Sequence, residues 1–143
     1  MSDIFLTNNQ KLVKQWKKEH QKIVALAEKI IYAYEADKKD TLNKDLDIFY
    51  TSVSTHLMGE DMSFYEFSML EESLDKEVGK QIEEFVDTFE KTKFALVDFL
   101  TKYTLPDAVY DQEFIDTFKM LFGVLAKRIS YEEENLYKTL QAI

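Results

Sequence analysis

Apolar side chains recur every three or four positions along most of the chain, the spacing of one face of an α-helix. The first such stripe is Leu12, Trp16, His20, Ile23, Ala27, Ile30 and Tyr34. Thr7-Asn8-Asn9 stands before it as a capping segment, and Lys14, Lys17, Lys18 and Glu28 fall on the outward side. Ala36 to Thr41 is a short polar break, with Thr41 placed to cap a second helix running from about Leu42 to Leu70. Gly59 weakens that helix by roughly 1 kcal/mol and marks a place for it to bend. Ser73-Leu74-Asp75 makes the next break. Val78, Ile82, Phe85, Phe89, Thr92, Leu96, Phe99 and Tyr103 form the third stripe, which Pro106 ends because proline cannot continue the hydrogen-bond ladder. After a loop to about Asp111, the fourth stripe is Phe114, Phe118, Leu121, Leu125, Arg128, Glu132 and Leu136. Four long helices with short connections predict an all-α, up-down-up-down antiparallel four-helix bundle occupying residues 1–143 as one domain.

The second stripe carries the chemistry. Its positions run Leu42, Leu46, Phe49, Val53, His56, Glu60 and Phe64, so a core-facing row contains an imidazole and a carboxylate. Burying either without a partner costs several kcal/mol. Set beside the other stripes, they belong to a polar layer near mid-bundle: His20, His56, Glu60, Arg128 and Glu132, with Thr92 from the third helix. The layer holds both histidines of the chain. His56-x-x-x-Glu60-Asp61-x-x-Phe64-Tyr65 is echoed by Arg128-x-x-x-Glu132-Glu133-x-x-Leu136-Tyr137. Two arrangements would satisfy the layer. A metal ion could lie between His20, His56, Glu60 and Glu132, since imidazole and carboxylate suit iron, manganese or zinc. Alternatively, Arg128 could fork between Glu60 and Glu132 while the histidines donate to carboxylates. A guanidinium repels a divalent cation and competes for the same oxygens, which favours the metal-free layer and no cofactor.

Composition narrows the remaining classes. Three Gly and one Pro leave few tight turns for a many-stranded sheet, while 11 Phe and 8 Tyr demand a packed interior. Without Cys there is no disulfide framework, thiolate metal site or cysteine nucleophile. A net charge of −9 argues against direct nucleic-acid contact and is compatible with a basic protein partner. Apolar runs are too short for a membrane span and no leader pattern opens the sequence, so a cytoplasmic location is expected. There is no glycine-rich phosphate loop and no nucleophile elbow, and the expectation is a protein that is not an enzyme.

Two families are similar to this pattern. His20, His56-x-x-x-Glu60 and the acids Glu132 or Glu133 resemble the hemerythrin-like (HHE) cation-binding bundle. The third helix has no histidine and Arg128 stands at the fourth-helix histidine position, so that resemblance implies a partial, single-iron site with ligands His20, His56, Glu60 and Glu132. The role it implies is sensing of iron, oxygen or nitric oxide. The regulator-of-sigma-D (Rsd/AlgQ) family is resembled over more of the chain. The blocks are Lys11-Leu12-Val13-x-x-Trp16, Leu46-Asp47-x-Phe49-x-x-Ser52-Val53, Ser63-x-Tyr65-Glu66, Phe89-Glu90, Leu96-Val97-Asp98-Phe99 and Leu125-x-x-Arg128-x-x-x-Glu132-Glu133. It implies a transcription regulator with anti-sigma activity that binds the primary sigma factor of RNA polymerase. Phe49, Ser52, Ser63, Tyr65 and Glu66 are its candidate contact residues. Whole-length colinearity makes this second resemblance the leading expectation from sequence.

Overall fold

A computed structural model describes residues 7–69 and 76–141, without the side chains of 61, 63–69, 76–79, 81, 82, 85, 86, 88, 89, 139 and 140. Its elements are α1 (Asn8–Glu35), a 3-10 turn (Lys39–Thr41), α2 (Leu42–Met69), α3 (Lys76–Tyr103) and α4 (Gln112–Tyr131). A π-helical turn (Glu132–Leu136) then leads into a short α5 (Tyr137–Gln141). Helix α1 packs on α2 and α4, α2 on α3, and α3 on α4, which closes the four-helix bundle that the periodicity predicts. The described residues contain no strand, and none of their helices is long and apolar enough to cross a membrane.

Local chemistry sets the helix ends. Thr7 and Gln10 exchange backbone–side-chain hydrogen bonds of 3.0 and 3.1 Å, a capping box at the start of α1. Asp37 sits in the left-handed region at φ 57° beyond the other end of α1. There the Asp37 and Lys38 N–H groups donate back to the Tyr34 and Ala33 carbonyls, closing the helix in a Schellman arrangement. Asp111 Oδ1 accepts from the Phe114 N–H at 3.0 Å and opens α4. Thr41 does not cap α2 as the sequence suggests: it ends the 3-10 turn, and its hydroxyl donates back to the Lys38 carbonyl.

The stripes are largely as expected. In α1, Leu12 and Tyr34 are half-buried, while their neighbours Val13 and Ala33 join the core. The lower half of the bundle is apolar and aromatic: Phe49, Phe99, Tyr103, Phe114 and Phe118 interlock there with Ile23, Ala27, Ile30, Leu42 and Leu46. The expected break at Ser73–Asp75 and the side chains of Val78, Ile82, Phe85 and Phe89 lie outside the described residues. Helix α2 runs unbroken through Gly59. A Cβ added at Gly59 or at Gly123 would meet no atom within 4 Å. Gly59→Ala and Gly123→Ala are therefore each expected to raise stability by about 1 kcal/mol, from helix propensity alone. Urea unfolding of the two variants checks this.

Candidate metal centre

Above the aromatic half, the bundle interior turns polar. Tyrosines aside, six ionisable side chains are buried in the described residues, and five form one layer: His20 on α1, His56 and Glu60 on α2, Arg128 on α4 and Glu132 in the π turn. The sixth, Asp45, lies apart and pairs with Lys29 at 3.3 Å. The layer is thus the one the helical stripes predict, save that the half-buried Thr92 makes no hydrogen bond to it.

His56 and Glu60 are one helical turn apart, and His56 Nε2 abuts Glu60 Oε1 without hydrogen-bond geometry. The other ring nitrogen, Nδ1, lies 2.7 Å from Glu19 Oε1. Burial pushes the His56 imidazole down, but its contacts with Glu60 and Glu19 outweigh that and hold it above the ordinary histidine range. His20 behaves in the opposite way. Burial, then the neighbouring His56 and Arg128, lower it from 6.5 to about 3, so it stays neutral with a lone pair available. The oxygens of Glu132 and Glu133 stand 3.8 and 3.6 Å from its two nitrogens, too far to hydrogen-bond and reverse that shift.

The sign of the His20 shift gives a pH dependence. Below pH 6.5 the unfolded chain takes up a proton that the folded chain refuses, so stability falls progressively towards pH 3. His20→Gln removes this contribution. The metal-free variant is expected to show a shallower loss of thermal midpoint than wild type across that window.

Arg128 Nε lies 3.4 Å from Glu132 Oε1, one arm of the expected fork. The feature that sequence reasoning missed is Tyr137. Fully buried, it donates to Glu60 Oε2 at 3.1 Å, with Glu132 Oε2 at 3.3 Å and His20 Nε2 at 3.1 Å from the same hydroxyl. Burial and the adjacent Glu60 both keep its proton on. Nothing in the local sequence announces the π turn that brings Tyr137 onto the face of Glu132. Glu19 was missed because it lies beside the stripe, at the half-buried margin, where its position next to His20 was the available signal.

The donors of His20, His56, Glu60 and Glu132 all lie within 4.8 Å of one another. His56 Nε2 and Glu60 Oε1 meet each other there without hydrogen-bond geometry, and His20 Nε2 faces Glu132 and the Tyr137 hydroxyl. Two imidazoles and two carboxylates buried this close together fit a divalent cation of the iron, manganese or zinc kind. A carboxylate on the outer nitrogen of His56 is also the usual means of orienting a metal-bound imidazole. The preference for a metal-free layer rested on Arg128 competing for the carboxylates of Glu60 and Glu132. Arg128 meets Glu132, while Glu60 and Glu19 face His56 and Glu133 faces His20, so the layer and its margin hold four carboxylates.

The candidate contact residues of the other resemblance fare differently. Phe49 is 1% exposed and packs on Phe118, so it is core and offers no surface to a partner, a correction to the expectation. Ser52 is half-buried, whereas the side chains of Ser63, Tyr65 and Glu66 lie outside the described residues. Comparison with protein families finds one described as Hemerythrin HHE cation binding domain, matched over residues 11–140. No curated protein and no solved structure is significantly similar to the chain.

Proposed function

The chain belongs to the hemerythrin HHE cation-binding family, and from that premise we propose that it binds a single non-haem iron ion through His20, His56, Glu60 and Glu132. The observation that carries the reading is the convergence of four buried donors within 4.8 Å. Two histidines with carboxylates are the donor set of mononuclear iron sites that keep positions open. Iron held so supplies an open position for a small ligand such as dioxygen or nitric oxide, which suits sensing rather than turnover. The chain's own residues do the rest. Glu19 fixes the orientation of His56, Arg128 offsets part of the carboxylate charge, and the apolar residues around the layer exclude water.

A second iron is not part of this reading, because Arg128 stands where its fourth-helix ligand would be and the third helix carries no histidine. A sigma-factor partner has no comparable support, since Phe49 is interior.

Anaerobic titration of chelator-treated protein with Fe(II) tests the proposal. Wild type should saturate at one iron per chain. His56→Ala and Glu60→Gln should each weaken binding by more than the roughly 10–100-fold that outer-shell changes cause. Wild type without uptake, or variants that bind as wild type does, would contradict it. Glu19→Gln keeps all four ligands and should fall within that 10–100-fold range in the same titration.

A further inference from the structure

The four-ligand reading leaves Tyr137 without a role. Its ring stacks on His20 with centroids 5.6 Å apart and lies tilted against Trp16 at 5.4 Å, so the position of its hydroxyl is fixed by packing. That hydroxyl lies 3.1 Å from His20 Nε2, 3.1 Å from Glu60 Oε2 and 3.3 Å from Glu132 Oε2. Its single proton cannot be given to both carboxylates at once. The distances carry a second meaning. Donor atoms around one cation, with bonds of about 2.1 Å, are about 3.0 Å apart along an octahedral edge and about 3.4 Å along a tetrahedral one. The Tyr137 oxygen is spaced from three proposed ligands as members of one coordination shell are spaced from each other.

The backbone supplies an independent indication. An α-helical continuation would stack Leu136 over Glu132, four residues on. The π turn Glu132–Leu136 widens the helix so that Tyr137, five residues on, reaches the Glu132 carboxylate. Single π turns inside α-helices recur at functional sites.

We infer that Tyr137 is a fifth protein ligand of the metal centre and binds ferric iron as a phenolate. The inference rests on the metal-binding reading above. When iron supplied as Fe(III) binds, the iron–oxygen bond forms, the phenol O–H bond breaks and the proton passes to solvent. No electron is transferred. Without a cation the neighbouring carboxylates keep the phenol protonated, whereas a bound cation reverses that local preference.

The experiment loads wild type and Tyr137→Phe with Fe(III) supplied as its citrate complex and removes the excess. Iron content, circular dichroism, visible absorption and resonance Raman spectra are then recorded. Wild type is expected to show a phenolate-to-iron charge-transfer band in the visible, with tyrosine ring modes enhanced beneath it. Tyr137→Phe is expected to lose the band while retaining its iron. An iron-loaded but colourless wild type, or a band that persists in Tyr137→Phe, overturns the inference and leaves the metal reading standing. A wild type that takes up no iron overturns both. Should the variant fail to fold, wild type carrying ring-deuterated tyrosine decides: shifted Raman modes under the band support the phenolate, and unshifted modes refute it.

Discussion

Arg128→Met is expected to destabilise the metal-free protein by about 3–5 kcal/mol, the usual consequence of removing one partner from a buried ion pair. The guanidinium is 4% exposed and meets Glu132, itself 1% exposed, so solvent cannot replace it. Methionine matches the length of the lost side chain and leaves little cavity, which makes charge the main change. The metal-loaded protein should suffer much less, because the cation neutralises the same carboxylates. Metal affinity of the variant should accordingly rise. Urea unfolding with and without iron measures both effects, and an equal loss in the two states would show that Arg128 acts independently of the metal.

Phe114→Ala should cost as much by a different route. The side chain is wholly buried, and its ring lies between 4.9 and 6.2 Å from those of Tyr34, Phe99, Tyr103, Tyr110 and Phe118. Truncating a core phenylalanine typically loses about 3–5 kcal/mol through transfer and cavity terms together. Small domains have total stabilities of roughly 5–15 kcal/mol, so the variant sits close to unfolding at room temperature. None of the metal donors belongs to this aromatic group, so the fraction that remains folded should bind iron as wild type does. Denaturant melts with a parallel iron titration separate the two behaviours.

These effects show which parts of the molecule were legible in its sequence. The bundle was, because its signal is a summed periodicity: Ile23, Ala27 and Ile30 on α1 or Phe114, Phe118 and Leu121 on α4 need only a regular helix to share a face. The polar layer was legible for the same reason, since His20, His56, Glu60, Arg128 and Glu132 fall in register on those stripes. What periodicity could not supply was any residue placed by a departure from it. Tyr137 reaches the layer through the π turn, and a 3.6-residue period assigns its place to Leu136. Glu19 enters from the margin of α1, where its place beside His20 is the one hint and the 2.7 Å contact with His56 Nδ1 identifies it. The weighing against a metal left out residues at the same margin. Arg128 was set against two carboxylates, while the folded layer gathers four around it and the histidines. Resemblance misled at Phe49, whose match to a partner-binding pattern says nothing about whether the side chain faces out.

The central claim is that this buried layer is a metal site, and elemental analysis of the protein purified without chelator addresses it directly. The account predicts a single iron per chain, lost together with several degrees of thermal midpoint on chelation and restored on adding Fe(II). Metal-free protein whose melting is unchanged by added iron, manganese or zinc would contradict it.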